Sequence, residues 1–595
     1  MNIIMIDIIP PAFIYLIGAF ILPIIKNRRA QQAFVLLLPV IAFVNLIHMP
    51  YGNYWVYNFL GFDLVLGKVD KLSMLFAYVF VIMSFIGMVY AIHIKEYGQH
   101  VAACLYVGST LGVVFAGDLL TLFIFWEIMA ASSVFLIWYQ RTKSAMSAGF
   151  RYILVHLAGG TFLLAGIVIH ATTTGSIAFV LFDIHELSTK LILIGFLVNA
   201  AVPPLHAWLS DAYPEGTVTG SVFMTAFTTK SAVYVLARSF PGVELLVWLG
   251  AIMALYGVVY AVMENDIRRL LSYHIISQVG FMVCGVGLGS ELAINGAGAH
   301  AFSHILYKAI LFMGAGAVIH VTGRRKSTEL HGHELYKKMP VTLTLYMVGA
   351  FSISAVPLFN GFISKNMVVA AAGELNRPVI ELMLHLASIG TFLSISLKLP
   401  QGIWFGSQKG SDKIPDAKEP PLNMLLAMGI GSFLCILTGI YPKLLYDLLP
   451  YQVHFHPYEA GKVVAMMQLL LLTLSAFWIY IDKLGGEAAI SLDTDWFYRN
   501  FGRALLRFCN EPLNQIRLKI QTLSSQKVAF LSRLSQNPYV PLEMFWHIVQ
   551  GKTLPLKDSV NQAYSPHIYR LPIGVGICMS LVFFLIYGLV YLWLV

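Results

Sequence analysis

Of the 595 residues, 58% are hydrophobic and 12% charged, with a mean hydropathy of +0.74. A soluble core of this size cannot bury so much apolar surface, so the composition excludes an ordinary soluble enzyme and makes the bilayer the solvent. The net charge of +9 does not point to nucleic acid, because the basic residues gather in alternate loops, and the five cysteines, far apart and without a CxxC pair, argue against iron–sulfur or zinc sites.

Apolar stretches able to cross about 30 Å of hydrocarbon recur from end to end, a periodicity of helices and not of a barrel. The first, near Pro10 to Ile25, is followed by Lys26, Arg28 and Arg29 and has neither a basic leader nor a small-residue cleavage site, so it is expected to be a retained helix. About sixteen spans are expected, at 9–25, 32–48, 72–93, 100–117, 119–138, 148–171, 188–208, 217–239, 244–263, 271–289, 293–320, 341–371, 379–404, 422–441, 461–481 and 571–594. Sorting the links by side groups Lys26, Arg28, Arg29, Lys95, Arg141, Lys143, Arg268, Arg269, Arg324, Arg325, Lys326, Lys337, Lys338, Lys409, Lys413 and Lys418. The opposite links hold little beyond Lys68, Lys71, Arg238 and Arg377. The positive-inside rule then puts both termini on the non-cytoplasmic side of the inner (plasma) membrane.

Two spans carry proline at mid-membrane, in AVPPLHAWL (201–209) and AVPLFNGFI (355–363). Each proline removes a backbone hydrogen bond, so both helices are expected to be broken there. The pieces resemble one another about 154 positions apart, and interrupted helices at matching positions of two halves are the pattern of transporters built from repeats. A packing kink without function is the alternative.

Residues 483–570 alternate charged and polar side chains with Trp496, Phe497, Leu505, Leu506, Phe508, Ile516, Leu518, Ile520 and Phe530. That pattern predicts one or more amphipathic helices along the membrane surface, interrupted at Pro512, Pro538 and Pro541. Arg499, Arg503, Arg507, Arg517, Lys519, Lys527 and Arg533 suit the cytoplasmic side; a linker to the last span is the alternative.

An ionisable group at the centre of a spanning helix costs about 2.5–3.5 kcal/mol even on lenient insertion scales, so those present are candidates for function. Glu127 stands in TLFIFWEIMAASSVFLIWY and needs a partner from another helix; Lys230, in SVFMTAFTTKSAVYVLA, is the candidate. HAFSHILYK places His300, His304 and Lys308 on one drifting stripe of a helix, a spacing that suits a proton relay. The same spacing resembles metal ligation, but no carboxylate or third histidine stands close by. Lys365 follows the second break, and Lys398, near the end of the next helix, is equally read as a lysine reaching for the interface. His156 and His274 are lone histidines on apolar faces, better read as packing residues. Separating Glu127 from Lys230 would push the lysine's proton toward the histidines, so one charge displacement triggers the next.

These residues resemble the antiporter-like subunits shared by respiratory complex I and the multi-subunit Mrp cation/proton antiporters. The likeness rests on FWE with Glu127, PPLHAWLSDAYPE with His206 and Asp211, Lys230, DIRRLLSYHIISQVGFM, the His300/His304/Lys308 helix, and GFISK ending in Lys365. It implies an all-α polytopic fold with two inverted five-helix repeats and a midplane proton path through Glu127, Lys230, Lys308 and Lys365. The divisions expected are 1–98, repeats at 99–240 and 241–406, two spans in 407–482, the surface segment 483–570 and the last span 571–595. One departure stands out: seven residues before the PLH histidine the family usually carries a lysine paired with the helix-five glutamate, and this chain has Asn199. The surface helix resembles the long distal subunit of complex I, whereas DIRRLLSYHIISQVGF is more similar to the D-like proteins of the Mrp antiporters.

The leading expectation is a proton-translocating subunit of a larger complex, exchanging protons for Na+ or K+ or driven by a redox partner. No glycine-rich phosphate loop follows a strand, so no flavin, quinone or nucleotide site is expected and any redox chemistry belongs to other membrane subunits. Energising solute uptake such as bicarbonate, or a non-conducting scaffold, are the alternatives.

Overall fold

Inside a bilayer every backbone N–H and C=O must find its partner within the protein, and helices meet that demand segment by segment. The computed structural model describes residues 9–405, 417–481, 493–537, 539–552 and 572–594. Lys409, Lys413 and Pro538, invoked above, lie outside the described residues, as does the side chain of Arg533. The chain forms two units, divided after Asp495.

The first unit opens with α1 (Pro11–Ile21) and α2 (Arg28–His48). The link that follows is an antiparallel hairpin, β1 (Gly52–Phe59) on β2 (Phe62–Val69), running from Gly52 opposite Val69 to Phe59 opposite Phe62. Then come α3 (Lys71–Ala91), α4 (Tyr97–Phe115), α5 (Leu119–Trp138), α6 (Lys143–Thr174), α7 (Leu187–Asn199) and the short α8 (Ala207–Ala212). The span expected at 217–239 is divided at Phe227 into α9 (Val218–Ala226) and α10 (Thr228–Ser239), a break that no proline or glycine announces.

Next are α11 (Glu244–Met263), α12 (Ile267–Leu288), α13 (Glu291–Thr322), the single turns α14 (Ser327–Leu330) and α15 (Leu335–Lys338), α16 (Pro340–Ile353), α17 (Asn360–Glu374) and α18 (Pro378–Thr391). The last of these continues as π-helical turns at Phe392–Lys398 and Gln401–Phe405. The unit closes with α19 (Leu422–Ile440), the turn α20 (Lys443–Tyr446) and α21 (Ala460–Ile479).

In the second unit α22 (Asp495–Phe508) passes through a π-helical turn at Cys509–Leu513 into α23 (Asn514–Gln536), followed by α24 (Tyr539–Val549) and α25 (Ile573–Leu594). Pro512 therefore does not interrupt the helical run: the widened turn absorbs the missing N–H. Twelve helices among the described residues are long and apolar enough to cross a membrane, which makes the chain an all-α polytopic membrane protein.

Local bracing recurs within the first unit. Asp118 caps α5 through the Thr121 amide at 2.8 Å, and Asp266 caps α12 through the Arg268 and Arg269 amides at 3.0 and 3.1 Å. Each aspartate also pairs in an isolated bridge, Asp118 with Ala178 and Asp266 with Lys326. Leu119 N–H donates to the Ile177 carbonyl at 2.8 Å, as Ile267 N–H does to Arg325 at 3.0 Å. Between these braces lie α6 and α13, both 32 residues long, capped by Thr142 and Ser290 and closed by left-handed Gly175 and Gly323.

α13 is the centre of the fold. Every residue from Ala293 to Val318 is buried, and a helix that is buried all round needs no polar face. Its small residues let neighbours approach closely: Gly296 lies against Val368 of α17, and Gly314 against Tyr346 of α16. His300, His304 and Lys308, inside that buried run, thus have no route to solvent except through other helices.

Candidate functional site

The two expected breaks are built alike. α7 ends with Ala201 in the left-handed region at φ +55°, and α16 ends with Ala355 at +56°. At the first, Ala201 N–H donates to Val198 and Val202 N–H to Leu197; at the second, Ala355 donates to Ser352 and Val356 to Phe351. This pair of bonds is a Schellman closure, which satisfies carbonyls a severed helix would otherwise leave bare in hydrocarbon. Beyond the second break, Gly361 brings α17 onto the Ser352 carbonyl so closely that a methyl group there would collide with it.

The helices α10, α12, α13 and α17 hold most of the expected path. His300, His304 and Lys308 on α13, Lys365 on α17, His274 on α12 and Lys230 on α10 are all fully buried. His300 faces the Ser364 hydroxyl at 3.3 Å through Nδ1 and the Tyr307 hydroxyl at 3.4 Å through Nε2. The His300 and His304 ring centroids are 6.3 Å apart. Lys365 lies 4.6 Å from the centroid of Phe281 and donates to the Ile353 carbonyl at 3.4 Å, next to the second break. His274 Nε2 meets Ser394 Oγ at 2.7 Å, in the π-helical turn.

Both nitrogens of His304 and the Lys308 ammonium have no hydrogen-bond partner among the described residues. Charges in this group sense one another: His304 lies within electrostatic reach of Lys230, Lys308, His300 and Lys365, and Lys308 within reach of Lys230. Like charges so placed oppose simultaneous protonation, so a proton arriving at one member favours departure from the next.

Lys230 owes its position to the break at Phe227. Its ammonium donates to the Thr225 carbonyl at 2.6 Å and to Thr229 Oγ1 at 3.0 Å, across the point where α9 gives way to α10. Tyr106 supports the same point, its hydroxyl 2.6 Å from Thr228 Oγ1.

The expected Glu127–Lys230 pair is not present. Lys230 is held by Thr225 and Thr229, whereas Glu127 is half-buried, has no ion pair among the described residues, and rests its Oε1 against the space beside Gly160 on α6. Two different neighbours, a broken helix on one side and a glycine notch on the other, draw the two charges apart. Asn199, at the usual lysine position, is fully buried, and neither side-chain polar atom has a hydrogen-bond partner among the described residues. His156 is packed between Tyr152 and Trp208, with ring centroids 4.0 and 4.5 Å away, and its Nδ1 faces the Tyr152 carbonyl at 2.9 Å. Lys398 sits apart from the cluster: it donates to the Val262 and Glu264 carbonyls, where a cation favours the C-terminus of α11.

His206, in the turn that starts α8, has a partner the sequence did not suggest. Its Nε2 lies 3.1 and 3.2 Å from the two carboxylate oxygens of Asp493, 287 residues away. Tyr256 and Tyr273 donate to the same carboxylate at 2.5 Å each. Asp493 stands in a stretch that reads as a polar surface segment, and no local signal marks it as buried. Close by, Arg151 of α6 grips Asp211 of α8 with both guanidinium arms, at 2.7 and 2.9 Å.

Residues 116–394 match the family model described as NADH:quinone oxidoreductase/Mrp antiporter, TM. A probable K(+)/H(+) antiporter component, of the A/B type, from Rhizobium meliloti is 31% identical over 68% of this chain and 43% of its own length. The A-type component of the Na(+)/H(+) antiporter of Alkalihalophilus pseudofirmus is 29% identical over 69% of this chain and 58% of its own length. The chain thus spans about half the length of these relatives. Among solved structures, a chain of the membrane-bound sulfane sulfur reductase, an archaeal respiratory membrane complex, superposes with a TM-score of 0.68 at 22% identity, over 92% of this chain and all of the other. Residues 116–394, which hold every expected path residue except Lys398, are thus the part of the chain that is similar to the NADH:quinone oxidoreductase/Mrp antiporter family.

Proposed function

We propose that this chain is a proton-translocating, antiporter-like subunit of a multi-subunit membrane complex, and that protons cross it through Lys230 at the end of the first half and His304, His300, Lys308 and Lys365 of the second. The observation that carries this reading is the fully buried cluster itself: five ionisable groups, of which His304 lies within electrostatic reach of the other four. Keeping so many ionisable groups in hydrocarbon is unfavourable unless they work. The recurring brace at Asp118 and Asp266 and the twin breaks at Ala201 and Ala355 support two repeats of five spans, inverted relative to each other because five is odd.

The partners are other membrane subunits, with Na+ or K+ as the exchanged cation, in a plasma membrane with both chain termini on the non-cytoplasmic face. With Asn199 at the usual lysine position and Glu127 without an ion pair among the described residues, the first half keeps Lys230 as its buried lysine, and the rest of the working path lies in the second. Proton movement in inverted vesicles holding the whole complex tests this, with Na+ and K+ added in turn. Lys308→Ala and Lys365→Ala should assemble and lose at least about tenfold in ion-dependent proton movement; unchanged transport in both would reject the reading.

A further inference from the structure

His206 is a two-ended group with only one end tied. Its ring is fully buried; Nε2 is fastened to Asp493, while Nδ1 has no hydrogen-bond partner among the described residues. The carboxylate at the tied end accepts from His206, Tyr256 and Tyr273, and from the Thr494 amide at 2.5 Å. Four donors converging on two oxygens suit an ionised, acceptor-only carboxylate, and an ionised carboxylate with no exposed side-chain surface needs a cation. His206 is the group placed to supply it. The contacts also tie together three parts of the chain: the broken helix through His206, α11 and α12 through Tyr256 and Tyr273, and the stretch that enters α22 two residues later. Thr494 adds a 3.5 Å contact to the Pro204 carbonyl, inside the first break.

We propose that Asp493 is a positioning residue for proton transfer: it supplies the counter-charge for a proton-carrying His206, whose free Nδ1 face hands the proton onward into the first half. The Nδ1–H bond of the imidazolium breaks, its proton passes to a water molecule at that face, and the ring returns to neutral beside the unchanged carboxylate. The stretch around Asp493 thereby sets whether the first broken helix can be loaded, because displacing Asp493 strips His206 of its counter-charge. This rests on the proposed function, that the chain moves protons at all.

The test is proton movement in inverted vesicles of the assembled complex, in a preparation whose transport Lys308→Ala abolishes. That control keeps the proposed function standing whatever the Asp493 variants do. Asp493→Asn should lower the rate at least about tenfold, whereas Asp493→Glu, which keeps the charge, should stay within about threefold of the parent. His206→Gln should be as slow as Asp493→Asn, and combining the two should be no slower than either. Parental transport in Asp493→Asn or in His206→Gln overturns the proposal. So does equal loss in Asp493→Asn and Asp493→Glu, which would mean shape and not charge, or a multiplicative loss in the double variant. Should Asp493→Asn not be recovered in the complex, His206→Gln and Asp493→Glu decide by the same criteria.

Discussion

Ala201 and Ala355 share one backbone conformation, φ +55° and +56°, and each closes its helix with the same two hydrogen bonds. The left-handed region costs an L-residue roughly 1–2 kcal/mol, least for residues without a branched β-carbon. Replacing Ala355 with Val should therefore lower the thermal stability of the purified complex by about 1–2 kcal/mol, whereas Ala355→Gly should leave it within about 0.5 kcal/mol of the parent. Equal effects of the two substitutions would show that the break is not held by this closure.

Gly160 and Gly361 should respond differently to the same added methyl group. At Gly361 it meets the Ser352 backbone carbonyl, which cannot move without shifting a helix end, so Gly361→Ala is expected to cost about 1–3 kcal/mol in thermal unfolding. At Gly160 it meets the flexible end of Glu127, which can swing away. Gly160→Ala should cost under about 1 kcal/mol yet move the carboxylate, and its proton transport should match that of Glu127→Gln. A Gly160→Ala protein that transports like the parent while Glu127→Gln does not would refute this.

Glu127 and Lys230 should behave as independent sites. With no ion pair between them, the stability changes of Glu127→Gln and Lys230→Met should add to within about 0.5 kcal/mol in a double-mutant cycle. A coupling of about 1 kcal/mol or more would restore the pairing that the sequence suggests.

Lys398 and Lys308 are both lysines on or near spanning helices, but their surroundings predict opposite phenotypes. Lys308→Ala removes an ammonium that has no hydrogen-bond partner among the described residues and should stop transport without loss of stability. Lys398→Ala removes a cation from the C-terminal carbonyls of α11 and should cost about 1 kcal/mol of stability while leaving at least half the transport. Vesicle assays and thermal scans on the same preparations separate the two, and loss of transport in Lys398→Ala would place it in the path after all.

The sequence by itself determined the solvent, the helical class and the stripe on α13, because each follows from local rules: span length from the bilayer, a break from proline, a shared face from the spacing of His300, His304 and Lys308. It also marked Lys230 and Lys365 as buried, since charge within an apolar run is legible without any neighbour. What only the tertiary structure decided depends on groups that are distant in sequence. The break at Phe227 has no proline or glycine to announce it; it accompanies the contacts of Lys230 with Thr225 and of Tyr106 with Thr228. Glu127 stands in an apolar run that the sequence shows, but it is only half-buried and its neighbour is the glycine notch on α6, not Lys230. Asp493 read as one more polar residue before a surface helix, and became a buried carboxylate because three donors from α8's leading turn, α11 and α12 converge where the chain returns. Composition reports what a residue prefers; only the fold reports which groups arrive to satisfy it.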